Sequence, residues 1–165
     1  MIYFVLVSFL TIQISLGGDC WVPQTDIIMF DIYSDNTIEL VDLNNNYLQN
    51  AVVCTGIWSE SPRIPKIDYI CDNNYTISTG MHYFRTTFNI IGTPIEGILM
   101  LAADDSGKAT INGNGELCNW ANHATLATCD VLPYLKSGFN VALIIVPNFL
   151  FGGGLTFKLS VKSQI

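Results

Sequence analysis

Short apolar runs separated by turn residues recur along this chain, and in places hydrophobic and polar positions alternate with a period of two. The clearest case is residues 155–161, where Leu155, Phe157, Leu159 and Val161 interleave with Thr156, Lys158 and Ser160. That pattern predicts an amphipathic strand with one buried and one solvated face. Residues 139–146 are almost continuously apolar instead, which predicts a central strand covered on both faces. The organising stretch is residues 81–115. It reads as strand 82–91, a turn at Thr93-Pro94, strand 97–103, a tight turn at Asp104-Asp105-Ser106-Gly107, strand 108–111 and a turn at Asn112-Gly113. Upstream, residues 27–33 and 37–43 read as strands around Ser34-Asp35-Asn36, and residues 44–50 as a polar turn. Residues 51–58 and 67–71 are further strand candidates, separated by a loop with Pro62 and Pro65. Residues 116–128 read as an irregular connection. Residues 130–138 read as a short helical turn, with Asp130 as N-cap and Gly138 as terminator. Many short strands and almost no helix predict an all-β, two-sheet antiparallel sandwich.

Composition narrows the class. Half of the 165 residues are hydrophobic and 13% are charged, which suits one packed domain and argues against disorder. The formal net charge of -7 repels phosphate backbones, so nucleic acid is not an expected partner.

The first residues change the picture more. Residues 2–16 carry no charge and are rich in Ile, Leu, Val and Phe, and Ser15 and Gly17 are small. The stretch is short for a membrane span and no basic cluster follows it. It reads as a signal peptide over residues 1–17, with the mature domain over residues 18–165; an uncleaved anchor is the alternative. All five cysteines, Cys20, Cys54, Cys71, Cys118 and Cys129, follow that segment, and none forms a C-x-x-C pair. Oxidised pairs are the default outside the cell. Five cysteines allow about 15 two-bridge patterns. Proximity in sequence favours Cys118 with Cys129 and Cys54 with Cys71. Cys20 is then left over, either free or bridged to another chain. Asn74-Tyr75-Thr76 is an N-glycosylation sequon in a polar loop.

Several groups of these residues resemble the galactose-binding-like jelly-roll module, the β-sandwich appended to many glycoside hydrolases and found in lectins. They are Tyr83-Phe84-Arg85-Thr86-Thr87-Phe88, Leu101-Ala102-Ala103-Asp104-Asp105, Ile111-Asn112-Gly113, Leu135-Lys136-Ser137-Gly138-Phe139-Asn140-Val141 and Gly153-Gly154-Leu155. The resemblance runs over residues 52–161. The Asp-Asp-Ser-Gly and Asn-Gly pieces also occur in the PA14 sandwich, but the Tyr-Phe-Arg strand favours the first family. Read physically, Asp104 and Asp105 cap a tight turn and Gly107 supplies positive φ. Arg85 either pairs with one of those carboxylates or offers a fork to a ligand. The resemblance implies no organic cofactor and a structural calcium ion near the termini. Asp26, Asp31 and Asp35 are the acidic candidates, without diagnostic spacing. Asp31, Asp35, Glu39 and Asp42 match a calcium loop only in part, because Tyr33 and Asn36 stand where a ligand and a glycine belong.

No G-x-S-x-G elbow, phosphate-binding glycine loop or H-E-x-x-H motif is present, and only His82 and His123 offer imidazole bases. The resemblance implies a module without catalysis of its own. Two functions follow as expectations. One is a secreted carbohydrate-binding module that presents Trp120, Asn119, Asn122 and His123, with Trp58 and Tyr75, to a glycan. The other is a structural subunit of an extracellular layer, filament or particle that binds no small ligand. Its partners are surface or matrix proteins, and Cys20 is available for an intermolecular bridge.

Overall fold

A computed structural model describes residues 25–54, 64, 67–72, 77–122, 124–149 and 153–165, and of Trp120 only the backbone. The signal segment, Cys20, Trp58, Asn74, Tyr75 and His123 lie outside the described residues. Two antiparallel sheets make a sandwich, as the alternating pattern predicts. The strands are β1 (Ile27–Tyr33), β2 (Glu39–Val41), β3 (Tyr47–Asn50), β4 (Val52–Val53), β5 (Ile70–Cys71), β6 (Gly80–Ile90), β7 (Thr93–Ala103), β8 (Ser106–Ile111), β9 (Asn114–Asn122), β10 (Ala127–Asp130), β11 (Gly138–Asn148) and β12 (Leu155–Gln164). One sheet has the order β10-β7-β12-β5-β4, with β1 also paired to β12. The other has the order β3-β2-β6-β11-β8-β9.

The inward positions of the long strands meet between the sheets. Phe84, Phe88 and Ile90 from β6 face Leu99 and Leu101 from β7 and Leu155, Phe157, Leu159 and Val161 from β12. Burying each such side chain is worth about 1.5–3 kcal/mol of transfer free energy. Outward positions alternate with them as the pleat requires. Both expected disulfides are formed, with Cα separations of 5.5 Å for Cys54–Cys71 and 5.7 Å for Cys118–Cys129. The first ties neighbouring strands of one sheet. The second joins β9 of one sheet to β10 of the other.

Several boundaries differ from the sequence pattern, each for a local reason. Residues 44–50 are not all turn. The Asp42 carboxylate accepts the Asn44 and Asn46 N–H groups at 2.8 Å each. This closes the turn early and leaves Tyr47–Asn50 free to pair with β2. The strand expected over residues 37–43 shortens to Glu39–Val41 accordingly. The β6–β7 turn falls at Ile91-Gly92, not Thr93-Pro94. Gly92 has φ +82° and packs so closely on the chain end that a Cβ there would lie 2.2 Å from the Gln164 carbonyl oxygen. Pro94 then sits in β7 beside a bulge at Ile95, where its missing N–H is tolerated. Gly107 does not supply positive φ. Its role is close packing, since a Cβ there would lie 2.9 Å from Ala103 Cβ. Residues 116–128 are not irregular but contain most of β9 and the start of β10. The helical turn over residues 130–138 shrinks to one 3-10 turn, Leu132–Tyr134, with Val131 at the cap position. The Asp130 carboxylate still accepts the Leu132 N–H at 2.9 Å. Strand β11 is central as expected, but only its inner face is covered. Asn140, Ala142, Ile144 and Val146 are buried, whereas Phe139 is 61% exposed. Two layers supply only one covered face per sheet.

Candidate functional site

The β8–β9 hairpin and the crossing to β10 carry the candidate glycan residues. Asn112 and Gly113 both adopt positive φ, 54° and 74°, the two left-handed positions of a type I′ turn. The Asn112 side chain fastens this turn to its neighbours. Its Nδ2 donates to the Tyr134 carbonyl at 2.9 Å and to Asn140 Oδ1 at 2.8 Å, and its Oδ1 accepts the Val141 N–H at 3.0 Å. Asn140 is fully buried and donates in turn to the Lys136 and Gly138 carbonyls. The Asn-Gly and Gly-Phe-Asn pieces therefore act together as a polar staple inside the fold.

Beyond the hairpin, β9 runs along β8 with two register shifts, and Lys108 is ion-paired with Glu116. Asn119 is exposed on β9, next to the backbone of Trp120. Asn122 is committed to the turn that leaves the sheet. Its Oδ1 accepts the Ala124 N–H at 2.8 Å, and its backbone exchanges two bonds with Thr125 at 3.3 Å. The Cys118–Cys129 bridge braces the base of this segment. The structure thus brings Asn119, Trp120 and Asn122 onto one braced strand, while Asn122 is a turn cap.

A second feature lies at the opposite edge of the same sheet. An open depression of about 690 Å³ is walled by Val41, Leu43, Leu48, Met81 and Tyr83, with Asp72 and His82 at its rim. His82 Nε2 lies 2.7 Å from the Ser78 carbonyl oxygen, and Nδ1 lies 3.6 Å from Asp72 Oδ2. A carbonyl only accepts, so Nε2 carries a proton there. The Ser78 hydroxyl donates to Asp72, not to the imidazole. Serine, histidine and aspartate meet here, yet not in the nucleophile–base–orienter order that acyl transfer needs. This cluster was not legible in the sequence, because its members sit in a polar loop and at a strand end with no spacing signature.

The remaining acidic residues serve local structure. Arg85 does not reach Asp104 or Asp105. It pairs with Glu39 at 2.7 Å and donates to the Asn45 carbonyl at 2.8 Å, because β6 lies directly beside β2. Asp105 accepts the Phe149 N–H at 2.7 Å. Burial raises the Asp31 pKa, but the hydrogen bonds from Ser160, Lys158 and Tyr33 and the Lys158 charge outweigh it, so the carboxyl stays below its ordinary range. Asp35 accepts the Thr37 N–H at 2.8 Å, and the Asp26 carbonyl accepts the Ile165 N–H. Asp42 is also held low, chiefly by the Asn46 side-chain amide. Among the described residues no three His, Cys, Asp or Glu side chains are grouped to hold a metal ion. Asp26, Asp31 and Asp35 belong to no such group.

No family model and no curated protein matches the chain. Solved structures do. A glycosyl hydrolase family 2 member from Bacteroides cellulosilyticus superposes with TM-score 0.51 at 15% identity, over 79% of this chain and 20% of that one. The Ruminococcus gnavus beta-glucuronidase gives 0.50 at 12% identity, over 85% and 30%. The beta-D-glucuronidase of Dictyoglomus thermophilum gives 0.50 at 11% identity, over 87% and 29%. The chain thus spans less than a third of each of these proteins. At such identities the likeness is one of fold.

Proposed function

We propose that this chain is a secreted, non-catalytic carbohydrate-binding module of the galactose-binding-like type. The observation that carries the reading is the fold match. A sandwich of this architecture is found as a minor part of much longer glycosidase chains. The two disulfides support an oxidising compartment. His82 supports a role other than hydrolysis, since its Nε2–H is spent on a carbonyl. The glycan meets the braced end of β9, where Trp120 supplies an aromatic face and exposed Asn119 a planar amide. The brace lowers the ordering cost of binding.

The test is a glycan array on the mature protein, followed by titration calorimetry of wild type and Trp120→Ala. Losing the aromatic anchor should weaken binding by roughly 1–3 kcal/mol, with the circular dichroism spectrum unchanged. If no glycan binds, the carbohydrate reading fails. The second reading, a structural subunit, would then take its place. What favours it is the uncharged, exposed strand β3.

A further inference from the structure

The β8–β9 hairpin carries the dipeptide Asn-Gly twice in succession, as Asn112-Gly113 and Asn114-Gly115, and no other Asn-Gly pair occurs in the chain. An asparagine before glycine is prone to attack on its own side chain, because glycine has no Cβ to hinder its backbone nitrogen. The fold treats the two copies differently. Asn112 is half-buried, and its amide is held by all three bonds of the staple, to the Tyr134 carbonyl, to Asn140 Oδ1 and from the Val141 N–H. Those bonds must open before its Cγ can turn onto the Gly113 nitrogen. Asn114 is exposed, and among the described residues its side chain makes one bond, from Nδ2 to the Asn112 carbonyl at 3.1 Å. Gly115 is exposed as well. It falls in the register shift between the Ala109–Leu117 and Ile111–Asn114 pairs, outside the regular ladder. Glycine is required there, since its φ is +77° and a Cβ would lie 3.1 Å from Leu117 Cδ2. The fold therefore needs the residue that makes Asn114 reactive.

We propose that Asn114 is a site of spontaneous modification, at which the side-chain amide is lost to leave aspartate and isoaspartate. The Gly115 backbone nitrogen gives its proton to solvent base and attacks Asn114 Cγ. The N–Cγ bond forms, the Cγ–Nδ2 bond breaks, and the side-chain nitrogen takes up a proton and leaves as ammonia. Water then opens the cyclic imide at either carbonyl. Opening at the side-chain carbonyl restores the main chain as aspartate. Opening at the main-chain carbonyl leaves the chain running through the side chain, as isoaspartate. One water is consumed, one ammonia is released, and nothing is oxidised or reduced. The product adds one negative charge to the formal net charge of -7, at the entry to β9. Asn112 keeps its amide, and the staple stays intact. This site is independent of the carbohydrate reading.

The test incubates the mature protein at mildly alkaline pH, folded and, in parallel, unfolded in guanidinium chloride with its disulfides reduced. Trypsin, cutting after Lys108 and Lys136, releases both asparagines in one peptide, and fragment masses place the change. In the folded chain Asn112 should deamidate at least about tenfold more slowly than Asn114, because local opening of the staple must precede the attack. In the unfolded chain the two should react at similar rates. Part of the product at position 114 should resist cleavage by an aspartate-specific protease, as isoaspartate does. Asn114→Gln should abolish the rapid change, since glutamine must close a less favourable six-membered ring. Equal rates at the two positions in the folded chain overturn the proposal. So does a folded chain that keeps Asn114 intact while the unfolded chain reacts, a product of aspartate alone, or a rapid change that survives Asn114→Gln.

Discussion

The two edges of the β3-β2-β6-β11-β8-β9 sheet are built on opposite principles. At β9 the chain is held three times over. The Asn112–Asn140 staple fixes its entry, the Lys108–Glu116 pair lies along it, and the Cys118–Cys129 bridge fastens it to the other sheet. At β3 the strand is four residues long, fully exposed and paired only with β2, with one further bond from the Gln49 amide to the Asp72 carbonyl at 2.5 Å. The Arg85–Glu39 pair steadies the strand beneath it, and Arg85 also bonds the Asn45 carbonyl in the turn that leads into it. An edge that must present side chains in fixed positions gains from covalent and polar restraint, because that restraint removes ordering cost from binding. Edge β3 is instead kept short, at four residues, and broken by a register shift at Leu48, devices that discourage further pairing. The difference places a braced edge on one side of the sheet and a lightly held edge on the other.

The largest expected effect is at β9. Replacing both Cys118 and Cys129 by Ala should lower stability by about 3 kcal/mol, the chain-entropy scale for a loop of this size. Urea unfolding measures the loss. Hydrogen exchange should show it concentrated in the amides of β9 and β10, whereas Cys54→Ala/Cys71→Ala should leave those amides protected. If both double variants deprotect β9 equally, the bridge is not what distinguishes that edge.

Next in size is Asn112→Ala. It removes two donated bonds and one accepted bond from a partly buried network, and it places Ala at φ 54°. Stranding such partners costs about 1–3 kcal/mol. Thermal unfolding should show the loss, and Asn112→Gly should recover only the backbone part of it. An unchanged midpoint would mean that water replaces the staple.

At β3 the effects are smaller. Arg85→Met keeps the aliphatic stem and removes the charge from a half-exposed pair, so the stability change should be under about 1 kcal/mol. Its visible consequence should be faster exchange of the β2 and β3 amides, with β9 unaffected.

These contrasts mark how far the sequence could be read. The period-two pattern of residues 155–161 located β12, because alternation on a half-buried strand follows from the pleat alone. Residues 27–33 coincide with β1, an apolar run ended by Ser34-Asp35-Asn36. The two disulfides were legible from spacing, since short loops close most easily. The β9–β10 crossing was not, because its polar residues look like loop while its register is set by β8, and β10 is set by β7. The half-buried outer face of β11 was hidden too. Val141, Leu143 and Ile145 are apolar in sequence, but a two-layer sandwich has no third layer to cover them. Arg85 was placed in a strand correctly, yet its partner Glu39 lies 46 residues away and only the β2–β6 pairing reveals it.

The smallest effect concerns β1, the charged counterpart of β3. Tyr33 donates to Asp31 at 2.8 Å, Lys158 reaches the same carboxylate at 3.0 Å, and the Lys158 ammonium lies 5.7 Å from the Tyr33 ring centre. The folded chain holds the Asp31 pKa below its ordinary value, so the group stabilises the fold above about pH 4 and loses that contribution as pH falls through the lowered value. Tyr33 moves the other way. Its hydrogen bond to Asp31, then burial, raises its pKa, so its contribution is present below about pH 10 and fades as pH climbs through the raised value. Lys158→Met keeps the stem and removes the charge. It should therefore be less stable than wild type by under about 1 kcal/mol near neutrality. That gap should narrow below about pH 4, as Asp31 becomes protonated in both proteins. Urea unfolding of the two proteins across the acid range reads the difference directly. A gap that persists unchanged in strong acid would show that Lys158 acts through the packing of its stem. The charge on β1 would then be no part of what separates that edge from β3.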